Sequence, residues 1–319
     1  MSVHDTASTP AASAPRGLTL QRRRVIWAWV FLSPVLIALI LVALWPLVTT
    51  FINSLTNASF FGGQARFVGL HNFLHHNQNG WGGVLASSEW WRAVRNTALF
   101  TVVTVTTETL VGLMLALVLD SNLRGSRPLR AAVLIPWAIP TVVSSEIWTW
   151  MLQQQGGIIN VLLMNAHLIH QPIDWLSNPA LMLPAVMMVD IWKTTPFMAL
   201  LILAGLQTIP QDIYEAARVD GVGPLKTFWR ITLPLVWPAV LVAVIFRMLD
   251  ALRVFDVIYV MTGAVPQTET MAVYIQNHLV SFGEIGYASA ASVVMFLFMA
   301  VLLALIIWGG RKRLLGESR

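Results

Sequence analysis

The sequence predicts an all-α integral membrane protein with six transmembrane helices and both termini in the cytoplasm. Three observations carry this prediction. The chain is 56% hydrophobic and only 11% charged, where soluble domains carry about 25% charged residues. Six apolar segments, residues 25–48, 97–119, 131–152, 181–206, 232–252 and 287–309, meet the requirement of roughly 20 residues for a helix crossing a core about 30 Å thick. Lys and Arg are divided unequally among the segments that join them.

Taken in order, residues 1–20 are rich in Ala, Ser, Thr and Pro and read as a disordered tail. Arg22, Arg23 and Arg24 then precede the first apolar run, so residues 21–48 read as the first transmembrane helix. A cleaved signal peptide also sets basic residues before apolar ones. This run is longer than the 7–15 apolar residues of a signal and lacks a small-x-small cleavage site, which favours a retained span. Residues 49–96 are rich in Asn, Gly, Trp and His and are too polar to cross lipid. They read as an extracytoplasmic loop with short helices, one of them near Trp90 and Trp91, whose rings suit the membrane interface.

Residues 97–309 form a five-helix core, interrupted by a polar segment at 207–231, and residues 310–319 form a basic tail. Several spans contain proline (Pro34, Pro46, Pro136, Pro140, Pro184, Pro196 and Pro238). Proline is tolerated in a span where neighbouring helices satisfy the carbonyl it releases, so kinks are expected.

Orientation follows from the basic residues. Fourteen fall on one side: Arg16, Arg22, Arg23 and Arg24; Arg124, Arg127 and Arg130; Arg218, Lys226 and Arg230; Arg311, Lys312, Arg313 and Arg319. The other side holds four: Arg66, Arg92, Arg95 and Arg253. The positive-inside rule places both termini and the 207–231 segment in the cytoplasm. The net charge of +5 therefore speaks for anionic lipid and topology rather than for nucleic acid.

The polar segment reads as two short helices. Pro210 and Asp212 suit a helix start, and Ile213, Ala216 and Ala217 fall at i, i+3 and i+4, a face narrow enough for close approach to a partner. Gly221 can adopt the left-handed conformation that ends a helix, and Gly223-Pro224 opens the next. Phe228 and Ile231 would pack that helix on the bundle, and Pro234 leads into span five. By physics alone this is equally an ordinary connection between two spans.

One feature of the segment is far more specific. Glu215-Ala216-Ala217, three residues, Gly221, nine residues, then Ile231-Thr232-Leu233-Pro234 resembles the signature of ABC importer permeases at every fixed position. Phe67-Val68-Gly69-Leu70-His71-Asn72-Phe73, Arg95-Asn96-Thr97, Ile135-Pro136-Trp137-Ala138-Ile139-Pro140, Trp192-Lys193-Thr194-Thr195-Pro196-Phe197, Ala204-Gly205-Leu206-Gln207, Arg253-Val254-Phe255-Asp256 and Gly286-Tyr287-Ala288-Ser289-Ala290 extend the resemblance to the maltose/glycerol-phosphate-type carbohydrate permeases, and the chain looks like an actinobacterial sugar-importer permease. Two departures stand out. Thr262-Gly263-Ala264-Val265-Pro266 replaces a Gly-richer run, and Val222 stands where Ala is usual.

The resemblance implies a type I ABC importer permease fold and a disaccharide such as trehalose or maltose as cargo. It implies a second homologous permease, two ATPase subunits that bind ATP and Mg, and an extracytoplasmic sugar-binding protein or lipoprotein. Glu215, Ala216, Ala217, Asp220 and Gly221 would form the ATPase-coupling element. The chain itself would be a transport subunit and no enzyme, holding no cofactor.

Ionisable residues at membrane depth are expensive and need partners, each costing about 2.5–3.5 kcal/mol on insertion scales. Asp190 and Lys193 lie at i and i+3 and can pair, while Arg247, Asp250, Arg253 and Asp256 form an alternating i, i+3 ladder. Glu108 and Glu146 stand alone in spans two and three. Asp250, Arg253, Phe255, Asp256, Trp192 and Lys193 are the candidates for a substrate path; helix-tying or packing roles are the plainer reading of each.

Other chemistries lack support. No Gly-Lys phosphate loop occurs, because Leu225 precedes Lys226. His71, His75 and His76, with His167 and His170, have no carboxylate or thiolate at ligand spacing, and the chain has no cysteine. No nucleophile elbow or His-Glu-x-x-His helix appears. The alternative function is a stand-alone ion-coupled secondary transporter or channel using Asp190 or Glu108, against which the lack of a visible internal repeat counts. An enzyme acting on a lipid-linked sugar stands third.

Overall fold

The computed structural model describes residues 20–78, 80–120 and 126–314. Residues 1–19 of the predicted N-terminal tail and the last five residues lie outside that range, while Leu20 opens the first helix. Two units are distinguished, one ending at Thr49 and one beginning at Thr50.

The first unit is a helix, α1 (Leu20–Leu39), that passes through a π-helical stretch at Ile40–Leu44 into the first half of α2 (Trp45–Ser54), whose residues from Thr50 belong to the second unit. Pro46 lacks the N–H that an α-helical turn would direct at Val42, and the widened turn falls just before it. Apolar side chains are exposed around the whole helix, among them Trp29, Phe31, Val42 and Trp45. Such a helix belongs in lipid or against another apolar surface. Its hydroxyls bond within the helix, Ser33 Oγ to the Val30 carbonyl and Thr49 Oγ1 to that of Pro46.

The second unit is built on α3 (Ser88–Asp120), α4 (Ser126–Ala138), α5 (Thr141–Met151), α6 (Ile158–Asn165), α7 (Met182–Leu206), α8 (Gln211–Val219), α9 (Pro224–Thr227), α10 (Leu233–Ala251), α11 (Asp256–Met261), α12 (Met271–Gln276) and α13 (Ile285–Leu314). The most enclosed long helix is α7, and its closest partner is α3. Glycines set the spacing. A methyl on Gly112 of α3 would lie 3.0 Å from Met198 Cβ, and one on Gly205 of α7 would collide with Ala239 of α10. Large apolar side chains of α3, α7 and α10 fill the space between, including Leu119, Met198, Ile202 and Val236.

Among the described residues, five helices are long and apolar enough to cross a membrane. The predicted third span is different. Residues 131–138 and 141–151 are two helices bent by 92° at Ile139-Pro140. Hydropathy registers length and composition but not direction, and Pro140 has no N–H with which to continue the helix. The second span begins at Ser88, nine residues before the predicted 97, so residues assigned to the preceding loop belong to the helix. The fifth runs unbroken from Pro224 through a π-helical stretch at Phe228–Thr232.

Between α2 and α3 the chain forms a hairpin of β1 (His75–Asn77) and β2 (Gly80–Gly82), antiparallel, with His75 opposite Gly82. This segment is fastened to the start of α13. Asn72 Nδ2 donates to the Ser54 and Thr56 carbonyls, and Gly286 N donates to Ala58 O at 2.9 Å. A side chain at Gly286 would strike the Thr56 carbonyl. Trp90, predicted to sit at an interface with Trp91, is instead buried edge-on against Tyr274 at 5.5 Å; Trp91 is exposed.

Candidate functional site

Two places gather the residues singled out above. The first is α8. Its C-terminus is closed by the Val222 N–H donating to Ala217 O and the Gly221 N–H to Arg218 O, with Gly221 at φ +69°. That is a Schellman ending, which requires a residue tolerant of positive φ. The helix divides its faces sharply. Ile213 and Tyr214 pack on the α3–α7–α10 cluster, and Ala217 is buried. Asp212, Glu215, Ala216 and Val219 are exposed. The predicted face of Ile213, Ala216 and Ala217 is therefore split. Two of its members turn into the bundle while Ala216 joins Glu215 outside, because packing on the bundle claims the 213/217 stripe. Asp220 and Gly221 are exposed beside them, as are Val219, Leu225 and Trp229. Glu215 and Arg218 approach to 3.9 Å on the exposed side.

The second place is a charge cluster inside the bundle. Glu108, expected to stand alone, is fully buried and meets Arg247 in a fork, Nε to Oε2 at 2.5 Å and Nη2 to Oε1 at 3.0 Å. Arg247 also pairs with Asp190 through Nη2 and with Asp250 through Nη1 at 3.0 Å. Thr194 Oγ1 donates to Glu108 at 2.6 Å. Three helices, α3, α7 and α10, are tied by one guanidinium. Its planar fork is suited to several carboxylates at once.

The anticipated Asp190–Lys193 pairing gives way to two separate bonds. Asp190 engages Arg247, and Lys193 Nζ donates to the carbonyl of Ile139 at 2.5 Å. That carbonyl lies at the α4–α5 break, where helix geometry supplies no donor, so Lys193 satisfies a group the bend leaves open.

A cavity of about 250 Å³ opens on the cluster. Lys193, Asp250, Arg253, Phe255 and Asp256 line it, together with Thr141, Asp190 and Arg247. The i, i+3 ladder is interrupted. Arg253 reaches Asp250 at 3.9 Å, but α10 ends at Ala251 and Asp256 opens α11. Phe255 stacks on Tyr259 at 5.1 Å. Trp192 does not line the cavity and packs edge-on to Trp148 at 5.4 Å. Thr141 and Thr194 were not singled out from the sequence. The bonding of Glu108 to Arg247 had one available signal: each is the lone charge of its sign within its span, and lone charges in lipid seek each other.

Elsewhere, His71 and His75 stack at 3.7 Å beside a second cavity, and His278 bonds Glu284 at 2.8 Å. Among the described residues no three His, Cys, Asp or Glu side chains converge to hold a metal. Glu269 lies in the loop before α12, where burial raises its carboxyl above the ordinary range, against the pull of Arg92 and with the help of Glu89. The 262–266 segment that departs from the resemblance is tied to α3 through Asn96, whose Nδ2 donates to Pro266 O and Glu269 O.

Residues 108–311 match the family described as binding-protein-dependent transport system inner membrane component. The trehalose/maltose transport system permease protein MalF of Thermococcus litoralis is 39% identical over 295 residues, covering 92% of this chain and 97% of its own. The trehalose transport system permease protein SugA of Mycobacterium tuberculosis is 38% identical over 237 residues, covering 74% and 72%. Among solved structures, a chain of a bacterial alginate ABC transporter in complex with an alginate pentasaccharide-bound periplasmic protein superposes with a TM-score of 0.76. It spans 92% of this chain and 96% of that one at 19% identity, a likeness of fold.

Proposed function

This chain belongs to the family of binding-protein-dependent transport system inner membrane components, and from that premise we propose that it carries a disaccharide such as trehalose or maltose across the membrane. It is a multi-pass inner-membrane protein and a permease subunit of a sugar ABC importer, without an ATPase site of its own. The observation that supports the cargo is the 39% identity to a trehalose/maltose permease across 92% of the chain.

In this reading the chain forms half of the passage and a second homologous permease forms the other half. Two ATPase subunits bind ATP and Mg, and an external sugar-binding protein delivers the cargo. The α4–α5 pair counts as one broken span, giving six, with both termini and α8 in the cytoplasm. Glu215, Ala216, Asp220 and Gly221 seat α8 in one ATPase, while the buried Ala217, expected among them, holds α8 to the bundle instead. The inward face of α8 rests on the cluster shared by α3, α7 and α10. Close-packed side chains move together, so displacement of α8 is carried into the spans that hold Lys193, Asp190 and Arg247. The sugar passes the cavity lined by Lys193, Asp250, Arg253, Phe255 and Asp256.

The test is uptake by the reconstituted four-component assembly in liposomes. Labelled trehalose or maltose accumulates with ATP and binding protein. Accumulation by this chain alone, driven by an ion gradient without ATP, would favour the secondary-carrier reading instead.

A further inference from the structure

We propose that the cavity beside Arg247 selects neutral sugar rings and rejects anionic ones, with Asp250 as the specificity-determining residue. This deepens the sugar-permease reading and rests on it.

The charges on the cavity wall balance. Asp190, Asp250 and Asp256 face Lys193, Arg247 and Arg253, and Glu108 adds one more carboxylate directly behind Arg247. The bases are largely spent. Arg247 is engaged by Glu108, Asp190 and Asp250, and Lys193 is bound to the Ile139 carbonyl. Arg253 is the exposed base of the wall, its side chain 67% exposed, and it reaches Asp250 at 3.9 Å, with Asp256 also lining the cavity.

A carboxylate or sulfonate entering this space meets two exposed acids, Asp250 and Asp256, against one exposed base, Arg253, which Asp250 already approaches at 3.9 Å, an arrangement that penalises it by like-charge juxtaposition. A neutral polyol fares differently. Its hydroxyls donate to Asp250 and Asp256 and accept from Arg253 and Thr141, and a ring face can lie on Phe255. Asp250 is the pivotal acceptor because Arg247 holds one of its oxygens at 3.0 Å while the side chain remains 60% exposed. The volume of about 250 Å³ falls below the roughly 300–1,000 Å³ of pockets that enclose a drug-sized ligand. It therefore suits one ring of a disaccharide, the remainder lying beyond this chain.

The experiment uses the purified assembly of both permeases and the ATPases, without binding protein. Equilibrium dialysis compares labelled trehalose with its analogue oxidised to a carboxylate at one C6. Wild type is expected to bind trehalose at least tenfold more tightly than the acid. Asp250→Asn should weaken trehalose binding about ten- to a hundredfold, the loss of one hydrogen bond to a charged group. The pair Asp250→Asn and Asp256→Asn should shrink or reverse the preference for the neutral sugar. Asp256→Asn alone, at an exposed position, should narrow the preference and serves if Asp250→Asn fails to co-purify with its partners. Absence of trehalose binding, equal affinity for the two sugars, or unchanged binding in the variants overturns the proposal. Failure of the wild-type assembly to import trehalose or maltose with ATP and binding protein would remove the underlying reading instead.

Discussion

Arg247→Met is expected to destabilise the fold severely. Arg247 is 2% exposed and Glu108 is fully buried, with Asp190 close to it. Removing the guanidinium leaves two enclosed carboxylates facing each other without a counter-charge. Breaking a buried pair from one side costs about 3–5 kcal/mol, because the remaining charge stays desolvated. At about 1.4 kcal/mol per factor of ten, the ratio of folded to unfolded chain falls by roughly two to three and a half powers of ten. The same physics predicts a rescue. Glu108→Gln, Asp190→Asn and Arg247→Met together replace the ions with uncharged groups of similar volume, and such exchanges are often neutral or stabilising. Reversible unfolding of the purified chain in detergent, titrated with a denaturing detergent and followed by helical circular dichroism, measures both. Stability of the single variant within about 1 kcal/mol of wild type, or a triple variant no better than the single, would refute the idea that Arg247 is the electrostatic tie of the bundle.

Three further outcomes follow from local geometry. Gly221→Ala should impair uptake more than Gly221→Asn while both still assemble. No atom crowds the position, so the penalty is the left-handed backbone alone, about 1–2 kcal/mol and smaller for Asn. Gly205→Ala should cost about 1–3 kcal/mol by forcing α7 from α10, with Ala239→Gly restoring thermal stability in the double variant. Glu269→Gln should show a pH-dependent gain. The native carboxyl sits above its unfolded value, so its penalty is absent below about pH 4.5, grows as pH rises through the folded value and then levels off. Thermal unfolding of variant and wild type should therefore coincide at the acid end and diverge in favour of the variant toward neutrality.

Much of this was legible in the chain, for identifiable reasons. Length and apolarity marked the long helices, since crossing lipid imposes both. Gly221, three positions beyond Arg218, announced the helix ending because few other residues tolerate that backbone. What failed depended on neighbours. The break at Pro140 was visible as a proline, but whether a span bends by 92° depends on what receives the freed carbonyl, and that donor, Lys193, lies 54 residues away. Glu108 was read as isolated because its partner is 139 residues distant. Ile213 and Ala217 were assigned to the partner-facing side for the same reason, since periodicity names a stripe but not which surface claims it. The burial of Trp90 depends on Tyr274, which sequence spacing alone does not bring near.

The chain has no cysteine, so a thiol placed at Ala216 would be the single reactive site this chain contributes. In the native assembly, Ala216→Cys is expected to cross-link to an ATPase subunit through a short bifunctional reagent, with a yield that changes between the nucleotide-free and ATP-bound states. Cross-linking to no ATPase subunit in either state, with the assembly intact and active, would contradict the account that nucleotide energy enters the bundle through α8.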